Sequence, residues 1–354
     1  MLGHELLLRT ALLDGNDALQ AWESWCASAD LNHVDAASYW LLPLVHRNLR
    51  TLGVEHPYMD RLKGVRRRTW LSNQVNVRAL ADALIALEKR DVATVVPRWV
   101  TGAAGEDSES GLRPIEVCEA LVREPHASDA ASILETHGWR RLTPSPRRLT
   151  PRFRAFRGSI LLRNAGGIDL RLHWHVLPRC AAADDEFWNH TEPAAVQGAE
   201  TRTLAPTGQF LQTCLTGIEW SFTPAVWWIV DALTTLQGAA PVDTGEILRF
   251  VSRYRLVLPM LRAVEYLQAV LDVTELGELE SALSAESLSR ADRYEYESIV
   301  QPWRRRSALA SLTGAWRHHA RSGTGAFAAH LTCSLRWAIL PRAIARLKGQ
   351  PLID

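Results

Sequence analysis

Apolar and polar positions recur with two different periods along this chain, and the changes of period divide it. Through the first ninety residues the period is helical. Val34 to Leu52 carries apolar residues at helical spacing and stops at Gly53, a residue suited to the left-handed conformation that ends helices. From Arg66 to Glu88 an apolar stripe is formed by Trp70, Val77, Leu80, Leu84 and Leu87, at spacings of seven, three, four and three. At Asp91 the pattern changes. Val92 to Val100 holds the β-branched run Ala93-Thr94-Val95-Val96 and leads into Thr101-Gly102-Ala103-Ala104-Gly105, which predicts a strand entering a small-residue turn. Leu112 to Val122 predicts a second strand. Ser128 to His137 predicts a short helix with Ser128 as its cap, Asp129 in the first turn and Gly138 beyond its end. Two more strands are expected, around Ala155 to Arg163 and from Ile168 to Val176, on either side of a loop and after the Pro- and Arg-rich stretch Thr143 to Arg152.

The last of these strands is the most informative. Side chains alternate across a strand, so Ile168, Leu170, Leu172, Trp174 and Val176 share one face, and Asp169, Arg171, His173 and His175 share the other. One face is core and the other is a polar platform, which either faces water or lines a cleft. After Leu204 the period is helical again. Thr223-Pro224 starts a helix that runs through Trp227, Trp228 and Asp231 to Gly238, Asp243 or Thr244 starts another, and Ser322-Gly323-Thr324-Gly325 is a flexible joint. The expected organisation is a helical module (1–90), an α/β core (91–205) and a helical C-terminal region (206–354), an α+β protein.

Composition narrows the classes. At 354 residues, 47% hydrophobic and 22% charged, the chain has no run near the roughly 18 apolar residues of a membrane span, and its start lacks a secretory cleavage pattern, so a cytoplasmic protein is expected. Cys26, Cys118, Cys180, Cys214 and Cys333 are scattered without a close pair, which argues for free thiols over disulfides or a zinc module. The net charge of +1 hides an asymmetry. Residues 302–354 carry nine Arg or Lys and one acid, a net +8, with Trp303, Trp316 and Trp337 interleaved, which leaves −7 for the rest. This basic region is either solvated helix faces or a contact surface for anionic lipid, nucleic acid or an acidic partner. No G-x-G-x-x-G, Walker A, H-E-x-x-H or G-x-S-x-G motif is present. His173-x-His175 forms at most half of a metal site, since no third ligand is evident in the sequence.

Several segments taken in order carry a resemblance: Thr101-Gly102-Ala103-Ala104, Gly111-Leu112-Arg113-Pro114 with Ala120-Leu121-Val122, His137-Gly138-Trp139, Leu172-His173-Trp174-His175-Val176-Leu177-Pro178, and Trp227-Trp228-Ile229-Val230-Asp231. Over residues 1 to about 270 the chain resembles a poorly characterised bacterial nucleotidyltransferase family of the DNA polymerase beta superfamily. The resemblance implies a mixed-sheet core and two-metal transfer of a nucleoside monophosphate from an NTP to an acceptor. Its Mg²⁺ would sit on two carboxylates two residues apart on one strand and a third on a neighbouring strand. The match puts Val117 and Glu119 at the first pair and Arg171 at the third position, with Thr101 where a lysine is expected. Nucleotide contacts would fall to Thr101, Gly102, Arg113, Arg171 and His173.

Three functional expectations follow. The first is a nucleotidyltransferase-fold protein with a degenerate metal site, needing no cofactor and binding a nucleotide or a protein or peptide partner. The second is an active, atypical enzyme using Mg²⁺ and NTP, with Glu116, Glu119 and Asp169 as its carboxylates, Glu119 and Asp169 on the metal, and Arg113 or Arg171 on phosphate. The third is an interaction protein acting through the basic C-terminal region on a membrane or nucleic acid.

Overall fold

The computed structural model describes residues 3–103, 108–178, 180–217 and 226–288, together with 290, 292, 293 and 296. The Thr223-Pro224 helix start, the Ser322 to Gly325 joint, Cys333 and the basic stretch 302–354 lie outside the described residues. In chain order the helices are α1 (Gly3–Leu12), α2 (Gly15–Ser28), α3 (Ala36–Thr51), α4 (Met59–Glu88), α5 (Arg98–Ala103), α6 (Ala127–Thr136), α7 (Pro151–Phe156), α8 (Asp184–Asn189), α9 (Pro206–Gly217), α10 (Val226–Leu236), α11 (Thr244–Tyr254), α12 (Val257–Leu271) and α13 (Gly277–Ala285). The strands are β1 (Thr94–Val95), β2 (Val117–Val122), β3 (Arg140–Arg141), β4 (Ser159–Arg163), β5 (Asp169–His173), β6 (Thr191–Val196) and β7 (Ala199–Leu204). This is the α+β architecture that the two periods predict. No helix among the described residues is long and apolar enough to cross a membrane.

By compactness the chain forms two units that interleave in sequence. One takes Met1–Val77, Arg98–Ile115 and Ala205–Ser289; among the described residues up to Leu204, the other takes Arg78–Pro97 and Glu116–Leu204.

The first unit is helical. α1 packs on α2 and α3, and α12 packs on α9 and α13. Helices α1 and α12 are tied where the Arg9 guanidinium donates to the Val270 carbonyl at 2.8 Å. The last turn of α1 is closed from outside: the Asn48 amide donates to the Thr10 and Leu13 carbonyls, each at 2.7 Å, taking acceptors that a helix end leaves over. Asp35 and Asp243 cap α3 and α11, each accepting from the backbone N–H three residues on. Gly53, at φ +70°, ends α3 as its sequence predicts.

Residues 108–115 are held on α4 by side chains that read the backbone. Asn73 donates to the Ser110 and Arg113 carbonyls at 2.7 and 2.8 Å and accepts from the Ile115 N–H at 2.9 Å. A Cβ on Gly111 would stand 2.8 Å from the Trp70 Cβ, so this close approach requires glycine. The expected strand over Val92 to Val100 shrinks to Thr94–Val95, because Pro97 lacks the N–H to continue a ladder and Arg98 begins α5. Thr101 and Gly102 therefore lie in a short helix rather than a turn. Likewise the strand expected from Leu112 begins at Val117, after the stretch that Asn73 holds.

The second unit is built on a seven-stranded sheet in the order β3-β4-β5-β2-β1-β7-β6. It is mixed: β2 pairs parallel to β5 and β1 parallel to β7, while the remaining pairs are antiparallel. The β6–β7 hairpin is absent from the periodicity reading. It turns at Gln197 and Gly198, both at positive φ (46° and 85°), the two-residue geometry that suits the natural strand twist. The helix expected from Ser128 starts one residue earlier, after a 3-10 turn at Glu124–His126, and Ser128 is not its cap. The Ser128 hydroxyl instead accepts from the Leu149 N–H at 3.1 Å. On one face of the sheet Leu162, Leu170 and Cys118 form a row and Ile160, Leu172 and Ala120 another, all at or below 1% exposure. Helix α6 packs on β5. Trp174, fully buried, anchors the end of β5 by donating from its indole N–H to the Arg154 carbonyl at 3.1 Å.

Candidate functional site

The opposite face of that sheet carries the chemistry. In the parallel pairing of β2 with β5, Val117 stands opposite Asp169, Glu119 opposite Arg171, and Leu121 opposite His173. On the other side of β5, Arg163 stands opposite Asp169, Leu161 opposite Arg171, and Ser159 opposite His173. The face therefore reads as three rows: Arg163, Asp169, Val117; then Leu161, Arg171, Glu119; then Ser159, His173, Leu121, with Val95 and Arg202 beyond. Glu119, Asp169, Arg171 and His173 are thus brought to one face. Glu116 is exposed and precedes β2 by one residue.

Two guanidiniums and two carboxylates stand opposite one another on this face. The Arg163 guanidinium grips Asp169 with two parallel hydrogen bonds, Nε to Oδ1 at 2.5 Å and Nη2 to Oδ2 at 2.7 Å, which occupies both carboxylate oxygens. Glu119 faces Arg171 across the strands, and its Oε2 lies 4.0 Å from the His173 Nε2, too far for a hydrogen bond. That ring nitrogen is buried and has no hydrogen-bond partner. Burial holds the imidazole below its ordinary pKa; the Glu119 charge pulls it up and the Arg171 charge pushes it down, and the net direction is down. His173 is neutral at neutral pH as a result. On the core side of β2 the Cys118 thiol is pushed up to about 12 by burial, with the charges of Glu119 and Asp169 adding to it, so it is not a nucleophile.

The fourth member of the expected polar platform is elsewhere. β5 ends at His173, and His175 turns its Nδ1 to the Asp184 carboxylate at 2.6 Å. The same carboxylate accepts from the Val176 N–H at 2.9 Å, so the segment after the strand is locked and His175 is 9% exposed. His173 and His175 do not form a pair of ligands. Among the described residues no three His, Cys, Asp or Glu side chains come together in a way that could hold a metal ion. The donor set of this face does not fit a two-metal site: one position is Val117, one is Arg171, and Asp169 is already bidentate on Arg163.

Thr101, Gly102 and Arg113 belong to the helical unit. Thr101 turns its hydroxyl back to the Arg98 carbonyl at 2.7 Å. Arg113 is held by a carboxylate and two indoles. Its Nε and Nη2 donate to the two oxygens of Asp231 at 2.9 and 2.8 Å, and its guanidinium carbon lies 3.7 Å from the Trp99 ring centroid and 5.1 Å from that of Trp227. Spacing along the chain marks Arg113 without marking its partner, Asp231. The signal was present, since Asp231 closes a Trp-Trp-Ile-Val-Asp segment on the same helical stripe as Trp227. Arg163 was equally visible, two strand positions from Leu161 and on the face of Asp169.

No curated protein matches this chain. Among solved structures, an antigenic nucleotidyltransferase-like protein from Paracoccidioides brasiliensis is similar at 13% identity and a TM-score of 0.36, over 62% of this chain and 95% of that one. A family described as uncharacterised nucleotidyltransferase matches residues 36–272, well over half of the 354 residues and across both the sheet face and the Arg113–Asp231 pair. By that match, the chain belongs to the uncharacterised nucleotidyltransferase family.

Proposed function

We propose that this chain is a member of its family that does not carry out metal-dependent nucleotidyl transfer and acts by binding, as an accessory protein to a nucleotide or a protein partner. The observation that carries the reading is the charge pattern of the sheet face: a guanidinium opposite Glu119 and a second one closing on Asp169. A divalent cation needs carboxylate charge that is not already spent. At 4 Å and an effective dielectric near 20, two unit charges interact by about 4 kcal/mol, so a guanidinium beside a dication opposes it by roughly twice that. Glu119 at the same distance would cancel that repulsion and leave no net attraction for the ion. Loss of one carboxylate and replacement of another by Arg removes the electrostatic clamp on which the transfer chemistry depends.

The test is a transfer assay with labelled nucleoside triphosphates and Mg²⁺ or Mn²⁺. No label is expected to leave the triphosphate for any acceptor, and any thermal stabilisation by a nucleotide should be the same with Mg²⁺ and with EDTA. Transfer that requires the metal and vanishes in Glu119→Gln would refute the reading in favour of an enzyme working through Glu119.

A further inference from the structure

The row on which Arg163 holds Asp169 continues onto the edge strand. In the antiparallel pairing of β3 with β4, Arg140 stands opposite Arg163 and Arg141 opposite Leu162. Opposite residues share a face of the sheet. Arg141 therefore goes with the core row, where its side chain is 9% exposed and donates to Glu135 at 3.0 Å, and Arg140 goes with the polar face. The row reads Arg140, Arg163, Asp169, Val117, with two positive charges side by side at the sheet edge. Like charges directly opposite on neighbouring strands repel, their Cβ atoms being about 5 Å apart. Asp169 offsets only one of them, since it takes Nε and Nη2 of Arg163 and leaves Nη1 over. Arg140 is exposed, and no hydrogen bond or ion pair among the described residues engages it.

A third guanidinium completes the group. Arg171 lies on the diagonal from Arg163, one row along, about 7–8 Å away. It is half-buried, and again no hydrogen bond or ion pair among the described residues engages it. The guanidiniums stand on β3, β4 and β5 and the carboxylates on β5 and β2, so the face is polarised across its strands. A guanidinium is a planar fork that matches phosphate oxygens two at a time and stays charged. Three of them over two rows reach further than one phosphate does. We propose that Arg140, Arg163 and Arg171 bind the diphosphate group of a small ligand directly, with no metal ion between. This deepens the binding role proposed above and rests on it: the arginines supply the positive charge that a dication would otherwise bring to the diphosphate.

The full chain is titrated calorimetrically in EDTA with inorganic pyrophosphate and with ADP, and again in Mg²⁺. Both ligands are expected to bind in EDTA; equal affinity means that the inorganic group suffices, and tighter ADP means that a nucleotide carries it. Arg140→Gln and Arg171→Gln should each weaken binding roughly tenfold or more, as loss of a charge-assisted hydrogen bond does. Arg140 is exposed at an edge, so its variant should melt as the unaltered chain does without ligand. Arg262→Gln, which removes an exposed charge from α12 in the helical unit, should leave the affinity unchanged. Equal weakening by Arg262→Gln and Arg140→Gln overturns the proposal in favour of general charge attraction. No binding in either buffer overturns it alone and leaves the transfer assay to judge the metal-free reading. Binding that requires Mg²⁺ overturns both.

Discussion

Two arginines, Arg113 in the helical unit and Arg171 on the sheet face, both have a carboxylate at hand and end in different states. Arg113 has its two hydrogen bonds to Asp231 and aromatic rings of Trp99 and Trp227 over its charge, and its side chain is 21% exposed. Arg171 faces Glu119 across parallel strands, and the Glu119 carboxylate lies 4.0 Å from the neutral His173 ring. The first arrangement fixes structure, because desolvated charges with all their partners in place are costly to separate. The second leaves charge on a surface with geometry to spare, and there an arginine changes what the surface can bind. Residue type alone distinguishes nothing here; the number of partners does.

The comparison is broken most severely at Asp231. Asp231→Ala should leave the guanidinium unpaired between two indoles and cost about 3 kcal/mol in urea unfolding, whereas Arg113→Met/Asp231→Leu together should recover most of it. A single-variant loss under 1 kcal/mol would mean that the pair is not structural. On the sheet face, Val117→Asp/Arg171→Asp adds two carboxylates beside Glu119. Mg²⁺ at ten times its Kd should then stabilise the protein by about 1.4 kcal/mol in a thermal-shift titration and do nothing for the unaltered chain. Absence of any Mg²⁺ effect in the variant would say that strand geometry, and not charge, bars the ion.

A subtler test uses pH. The folded pKa of His173 lies below its unfolded value of about 6.5, so the stability it contributes is present at neutral pH and is lost as pH falls from about 6.5 through the folded value. Glu119→Gln removes the charge that raises this pKa, so the loss should deepen and extend to lower pH in urea titrations between pH 7 and 5. A ring proton titration that moves upward in the variant would contradict the assignment. The smallest effect is expected where partners are exposed. Arg123 and Asp185 are 3.0 Å apart with Asp185 89% exposed, and Asp185→Asn should change stability by less than about 0.5 kcal/mol.

The alternation in β5 was enough to separate Leu170, Leu172 and Trp174 from Asp169, Arg171 and His173, because a period of two is a property of the strand itself. The α4 stripe and the stop at Gly53 were legible for the same reason. What escaped was everything decided by a distant partner. The alternation extended the strand to Val176, but β5 ends at His173 and Asp184 holds the His175 ring. Ser128 has the chemistry of a cap and serves the backbone of Leu149 instead. Arg113 has the chemistry of a phosphate ligand and is held by Asp231, 118 residues on. The β6–β7 hairpin was missed at Gln197-Gly198, where the turn is signalled by one glycine and the flanking strands are too polar to stand out.

Asn73 closes three main-chain contacts with one amide, and none of them depends on which side chains residues 110–115 carry. Gly111 and Arg113 aside, that makes the stretch tolerant of replacement at its own positions and intolerant of a single-atom change in its neighbour. Deamidation of Asn73, which exchanges the NH₂ for oxygen, would set a carboxylate against two carbonyls in a dry environment. Chemical ageing at one helix residue would thereby release the backbone on which Arg113 is mounted.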